Sequence, residues 1–222
     1  MIEIDGLTVT LVRKRIKNLN LRINALGEVN VSVPLNFPLD LIHRYLEEKR
    51  AWIDTHRRRL QGRLPVAPLT LTTGESLPFL GGHYELIVYT QSKHQRIEID
   101  NTRLHLFVKA EATFAEKDAL LQRWYRSQML NVLPELIQKW EALIGVRVNA
   151  WGIRVMKTRW GSCNTSKKRI WLNLNLIKKP LPCLESVIVH ELVHLLEASH
   201  NKRFYALMSQ FMPDWKTYQH YL

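Results

Sequence analysis

The chain has 222 residues, of which 46% are hydrophobic and 23% are charged. This balance is typical of a globular protein and excludes a chain that is disordered throughout. No apolar run reaches the length of about 18 residues that a membrane-spanning helix needs. The N-terminus lacks the apolar core of a secretory signal, which predicts a cytoplasmic protein. In that compartment Cys163 and Cys183 are expected to be free thiols.

The N-terminal region, residues 1–110, is predicted to be rich in strands and to contain one helix. Runs of Ile, Val and Leu predict the first strands. These cover residues 2–4, 7–13, 19–24 and 28–33. Apolar residues at helical spacing predict a helix from Leu39 to about Leu60. Residues 64–68 then connect to further strands, with a turn at Gly81-Gly82. These strands cover His83–Tyr89, Arg96–Ile99 and Leu104–Val108.

The remaining residues, 111–222, are predicted to form a second domain that mixes strands and helices, which makes the fold class α+β. A long helix is expected from Phe114 to about Ile144, kinked or split at Pro134. The other elements are strands at 146–159 and 169–175, a helix at about 183–198, and a helix from Lys202 that is interrupted near Pro213. No internal repeat is evident in the sequence.

The net charge of +12 comes from 32 Lys and Arg residues against 20 Asp and Glu residues. Such a surface attracts polyanions through a salt-dependent interaction that does not depend on their sequence. Non-specific binding of nucleic acid is therefore one interpretation, and a basic surface that only aids solubility is another. The local basic clusters are Arg57–Arg59, Lys167–Arg169 and Lys178-Lys179.

The string His190-Glu191-Leu192-Val193-His194 is the most informative part of the chain. Residues four apart lie on one face of a helix, so the two imidazoles can bind one ion. Zn²⁺ accepts imidazole nitrogens in tetrahedral geometry. Glu191 follows the first ligand and can reach a water molecule on the metal. The motif predicts a zinc peptidase in which Glu191 is the general base.

A catalytic zinc site needs a third protein ligand and an open fourth position. His200 is the candidate, because Ala198–Asn201 predicts a break between two helices with Ser199 or Asn201 as the cap of the second. One Zn²⁺ per chain is therefore predicted. The alternative is a buried helix whose histidines only form hydrogen bonds. The oxyanion formed during hydrolysis needs a further donor or the metal itself. Candidates for this donor are Arg159, Arg203 and Tyr205.

Four motifs follow one another in the second half of the chain with characteristic spacing. They are the RWGSC string from Arg159 to Cys163, Leu172-Asn173, the HELVH string from His190 to His194, and His200 with Phe204. This pattern resembles the YgjP-like metallopeptidase family, zincin-type proteins that are related to the SprT-like proteases. The resemblance implies zinc at His190, His194 and His200, with Glu191 as the catalytic residue.

The same resemblance implies a small sheet beside the active-site helix, with an edge strand that binds an extended peptide through main-chain hydrogen bonds. We assign this role to Arg169–Asn175, with Trp171, Leu172 and Asn173 as the substrate contacts. The implied partner is an extended or unfolded protein. The basic run at Lys167–Arg169 departs from the family pattern and leaves the preferences of the groove open.

Two other functions compete with the peptidase. One is a DNA-associated protein, or a DNA-directed protease of the SprT-like kind, that uses the basic surface. The sequence contains no zinc finger, helix-turn-helix or RNA-binding motif that would favour it. The other is a metal-binding scaffold without activity, against which the intact Glu191 and the lack of an evident fourth ligand argue. No membrane partner is predicted.

Overall fold

The structure, a computed structural model, describes residues 2–4, 6–24, 26–61 and 69–222. The chain divides into two compact units, residues 1–68 and 69–222. Both units combine sheets with helices, so the predicted α+β class is confirmed. None of the helices in the described ranges combines the length and the apolar character that crossing a bilayer requires. The predicted connection at residues 64–68 lies outside the described residues.

The first unit is a four-stranded sheet followed by two helices. Its elements are β1 (Ile2–Ile4), β2 (Leu7–Lys14), β3 (Asn20–Ile23), β4 (Val29–Pro34), α1 (Leu39–Glu48) and α2 (Arg50–Gln61). The strand order is β1-β2-β4-β3, in which only β2 and β4 are parallel. Alternate residues of these central strands, such as Val9 and Val31, are buried with Ile42 and Leu46. The single predicted helix is two helices, because Lys49 leaves the helical conformation with φ −91° and ψ 0°.

The second unit begins with another four-stranded sheet. Its strands are β5 (Ser76–Phe79), β6 (Gly82–Tyr89), β7 (Arg96–Ile99) and β8 (Arg103–Phe107). Their order, β5-β6-β8-β7, and their directions repeat those of the first sheet. Gly6 and Gly81 stand directly before the second strand of each sheet, with φ of 73° and 83°. The two units therefore share a topology that the sequence analysis missed, because the repeats share a pattern and few identical residues.

The long helix α3 (Phe114–Ile144) continues through Pro134 as one helix, so it is not split there. Its buried face, which includes Trp124 and Met129, belongs to the same hydrophobic core as Leu86 of β6 and Leu104 of β8. Because this core joins the second sheet to α3, residues 69–110 group with the C-terminal region. This grouping differs from the predicted division after residue 110.

Helix α3 begins with a capping box. The Thr113 Oγ1 atom accepts a hydrogen bond from the Glu116 backbone N–H, and the Glu116 carboxylate accepts one from the Thr113 backbone N–H. Replacing Thr113 by Ala is expected to lower the free energy of unfolding by about 1 kcal/mol. Thermal melts should show a fall in Tm of about 2–4 °C. Thr113→Ser keeps the hydroxyl oxygen and should melt close to the wild type.

The capping box also predicts a pH dependence. Hydrogen bonds from Lys109 and Thr113 lower the pKa of Glu116 from 4.5 to about 2. The interaction of the ionised carboxylate is therefore complete above pH 4.5 and is lost as the pH falls towards 2. The difference in Tm between Glu116→Gln and the wild type should shrink over that range, because the protonated carboxyl group, like the amide, carries no charge. An unchanged difference would contradict the capping box.

A three-stranded sheet and three helices complete the second unit. They are β9 (Ala150–Arg154), β10 (Gly161–Asn164), β11 (Arg169–Asn173), α4 (Leu181–Val193), α5 (Lys202–Phe211) and α6 (Trp215–Gln219), with a 3-10 helix at Leu174–Lys178 before α4. The strand order is β10-β11-β9, with β11 antiparallel to β10 and parallel to β9. Helix α4 contacts β10 and β11, so the predicted small sheet beside the HELVH helix is confirmed.

Candidate metal centre

Three histidines from α4 and the loop that follows it meet at the end of this helix. His190 lies in the last turn of α4, His194 is the residue that ends it, and His200 lies in the loop before α5. Their candidate ligand atoms all lie within 4.8 Å of one another, and the Nε2 atoms of His190 and His200 are 3.0 Å apart. Tetrahedral Zn²⁺ with bonds of about 2.0–2.1 Å holds its nitrogen ligands about 3.3 Å apart. The donor set and its spacing therefore fit zinc.

The short length of α4 brings His200 to the other two histidines. The helix was predicted to continue to about residue 198, but it ends at Val193, and the chain then turns. The Asn201 side chain caps α5 by accepting a hydrogen bond of 3.0 Å from the Phe204 N–H, which confirms the predicted cap. Phe204 is fully buried, and its ring lies 4.7–4.9 Å from all three imidazole rings. It forms the apolar floor of the centre.

Two of the three imidazoles, those of His190 and His194, favour the neutral form that binds metals. The Nδ1 atom of His194 lies 3.2 Å from the carbonyl oxygen of Glu197. A carbonyl can only accept a hydrogen bond, so Nδ1 carries the proton and Nε2 keeps its lone pair. Burial, and then the neighbouring His194 and His200, lower the pKa of His190 to about 4. Burial also lowers the pKa of His194. Neutral imidazoles are the species that coordinate metal ions.

Glu191 lies beneath strand β10 and is only 4% exposed. Its side chain occupies the space that a side chain at Gly161 would need, since a Cβ atom there would overlap Oε1 and lie 2.8 Å from Cγ of Glu191. Burial raises the pKa of Glu191 to about 8, and the positive charge of Arg159 partly offsets this rise. This places the pKa of the Glu191 carboxyl group close to neutral pH. Gly161 is a site residue that the sequence analysis did not single out.

A cleft of about 850 Å³ opens beside the histidines. Among the predicted donors, Arg159 lines this cleft. The Tyr205 ring stacks beside His200 at 6.4 Å between centroids and is 44% exposed. Arg203 lies 4.0 Å from the carboxylate of Glu197 and does not line the cleft. Arg159 is thus the predicted donor whose position is best suited to a bound substrate.

The prediction that Arg169–Asn175 forms the substrate-binding edge strand is wrong. Strand β11 is central and pairs on both sides, so it offers no free edge. Leu172 is fully buried, and Asn173 is 3% exposed. The Asn173 amide donates hydrogen bonds of 2.8 Å to the carbonyl oxygens of Met156 and Arg159, which holds the loop that carries Arg159. The Trp171 ring packs against Arg154, whose guanidinium carbon lies 3.6 Å from the ring centre. The free edge beside the cleft belongs to β10.

Three converging histidines and a buried glutamate on an HExxH helix define the class of metal-dependent peptidases. The family described as YgjP-like, metallopeptidase domain, matches residues 17–222, and the chain belongs to this family. Among solved structures, the chain is similar to the metallopeptidase zymogen of Pyrococcus abyssi abylysin, at 17% identity over 39% of this chain and 88% of that one, with a TM-score of 0.37. None of the curated proteins matches the chain.

Proposed function

We propose that this metallopeptidase uses one Zn²⁺ ion, held by His190, His194 and His200, to hydrolyse peptide bonds in extended or unfolded protein segments. The observation that carries the proposal is the convergence of the three histidines within 4.8 Å, beside an open cleft. Both cysteines are free thiols, which supports the reducing environment of the cytoplasm as the place of action.

In the proposed hydrolysis, the metal ion and the protein side chains have separate roles. When bound, Zn²⁺ supplies an activated water molecule and polarises the scissile carbonyl. Glu191 takes the proton of the attacking water and later delivers it to the departing amine. Glu191 is largely buried but lines the cleft, so its side chain borders the space where substrate and water would bind. Arg159, at the wall of the cleft, is the candidate for stabilising the negative charge on the carbonyl oxygen.

The free edge of β10 offers main-chain groups to an extended substrate. The Asn173 N–H donates to the Trp160 carbonyl oxygen at 2.8 Å, which makes these two residues a hydrogen-bonded pair. Hydrogen-bonded and non-hydrogen-bonded pairs alternate in an antiparallel ladder. In the register of β10 and β11, the N–H and C=O groups of Gly161 and Cys163 therefore point away from β11. A substrate strand can pair with them next to Glu191.

Metal analysis combined with proteolysis tests the proposal. Purified protein is expected to contain about one Zn²⁺ per chain and to cleave a reduced, unfolded protein, with activity lost on chelation and restored by zinc. His200→Ala should lose most of the metal. Mutation of residues that only support the ligands lowers metal affinity by about 10–100-fold, and removal of a ligand itself should lower it further. His94→Ala, an exposed histidine outside the centre, is the control. A His200→Ala protein with a full complement of zinc would refute the ligand assignment.

A DNA-associated role is the second candidate, and the net charge of +12 is the observation that favours it. A titration of duplex DNA binding against salt tests it, because phosphate contacts produce a steep salt dependence. No affinity at low ionic strength would remove this candidate and leave the peptidase proposal untouched.

A further inference from the structure

The segment around the three-stranded sheet has an unusual charge distribution. Residues 142–184 contain nine Lys and Arg residues and no Asp or Glu. This segment includes β9, β10 and β11, and therefore the free edge at the cleft. Within the described residues, the basic side chains of Arg154, Lys167, Lys168 and Arg169 form no ion pair. The charge of the substrate-binding edge is thus not neutralised by neighbouring carboxylates.

The turn between β10 and β11 places two of these charges at the end of the free edge. Lys167 and Lys168 are exposed, and hydrogen bonds hold the turn that carries them, including one of 3.3 Å from the Lys168 N–H to the Thr165 carbonyl oxygen. Asn164 Oδ1 accepts from the Lys167 N–H at 2.8 Å and from the Ser166 hydroxyl at 2.9 Å. The Asn149 backbone N–H donates to the Lys168 carbonyl oxygen, and its side-chain amide donates to that of Lys167. Because the turn is held in place, an acidic partner does not have to order it.

Arg169 adds a third charge on the outer face of the sheet. It pairs with Asn164, the last residue of β10, so its side chain shares a face with that of Asn164. Its guanidinium carbon lies 5.3 Å from the centre of the Trp171 ring, and its Nε atom is buried without a hydrogen-bond partner among the described residues. A strand added to β10 would lie about 4.8 Å from it. Alternate side chains of that strand would point to the face that carries Arg169.

We propose that the cleft selects protein segments with Asp or Glu side chains at the positions that lie alongside the β10–β11 turn. Lys167, Lys168 and Arg169 are the specificity-determining residues. The inference rests on the proposed function, because it takes β10 as the substrate-binding edge. Exposed ion pairs are individually weak, but several together give a measurable preference that depends on salt.

Binding of matched peptides tests the inference without requiring turnover. Three labelled, unstructured peptides share one central sequence and carry a flanking block of Glu, Gln or Lys. Fluorescence anisotropy measures their affinity for zinc-loaded Glu191→Gln protein, and kcat/KM is measured with the wild type. The Glu peptide is expected to bind about tenfold more tightly than the Gln peptide at low salt, and the difference should shrink at about 1 M salt.

Reversing the charges of Lys167 and Lys168 tests whether these residues cause the preference for acidic peptides. In the double variant Lys167→Glu/Lys168→Glu the preference for the Glu peptide should disappear or reverse. The double variant Lys93→Glu/Arg44→Glu makes the same change in net charge at exposed residues outside the three-stranded sheet and should keep the preference. If both double variants lose it equally, the preference reflects only the overall charge and the inference is wrong.

The remaining outcomes separate this inference from the proposed function. Equal affinity for the Glu and Gln peptides, with cleavage intact, overturns the inference alone. A preference for the Glu peptide without any cleavage supports the inference and refutes the peptidase. A single-stranded oligonucleotide that binds more tightly than the Glu peptide, and loses affinity in Lys167→Glu/Lys168→Glu, would assign the surface to nucleic acid and overturn the inference.

Discussion

Replacing Glu191 by Gln is expected to lower kcat by a factor on the order of 10²–10⁴, the usual contribution of a general base. The zinc content should stay at about one ion per chain, because the proposed ligands are the three histidines and not Glu191. Gln has almost the same shape as Glu and fits the same buried space, where Glu191 is 4% exposed. The amide cannot take up the proton of the attacking water. The loss should therefore appear in kcat, with little change in the affinity for peptides.

The control for this variant comes from the same helix. Glu185, also on α4, accepts hydrogen bonds from Lys139 and from the Trp140 indole, and it does not line the cleft. Glu185→Gln should keep its activity. Measurement of kcat with a flexible protein substrate, together with metal analysis of each preparation, checks both expectations. Wild-type activity in zinc-loaded Glu191→Gln would contradict the role of Glu191 as the base.

The part of the site that could be predicted from the sequence is the part that depends on local geometry. His190 and His194 are four residues apart on a helix, and this spacing alone places them on one face. His200 could be predicted because Asn201 is a strong helix cap. A helix cap indicates that the chain turns just before it. In the structure Asn201 caps α5, and the turn before it brings His200 close to His190 and His194.

The neighbours of each strand could not be predicted, because they depend on contacts between distant residues. The alternation in β11 correctly indicated a strand, but nothing in Arg169–Asn173 indicates that β9 and β10 pair on both its sides. Strand β10 was missed because Gly-Ser-Cys-Asn contains no β-branched or aromatic residue. Strand β5 was missed because it contains Pro78, which is typical of an edge strand.

The glycine of the RWGSC string has a role that only the three-dimensional structure reveals. Gly161→Ala is expected to lower kcat/KM by about 10²-fold, the loss that a displacement of about 1 Å can cause. The added methyl group would overlap Oε1 of Glu191 and lie 2.8 Å from its Cγ. The carboxyl group would have to move, and its burial leaves little room for that. The zinc content should be unchanged, because the histidines are not displaced.

Two comparisons distinguish displacement of Glu191 from a general loss of stability. Gly152 lies in the same sheet, and a Cβ atom there would meet the Trp171 ring, with 2.9 Å to Cε3. Gly152→Ala should therefore lower Tm but leave the kcat/KM of the folded protein close to that of the wild type.

The second comparison adds Gly161→Ala to Glu191→Gln. If Gly161 acts by leaving space for the base, the double variant should be no slower than Glu191→Gln alone, because the group being positioned is already inactive. Additive losses would mean that Gly161 acts by another route, such as main-chain contact with the substrate.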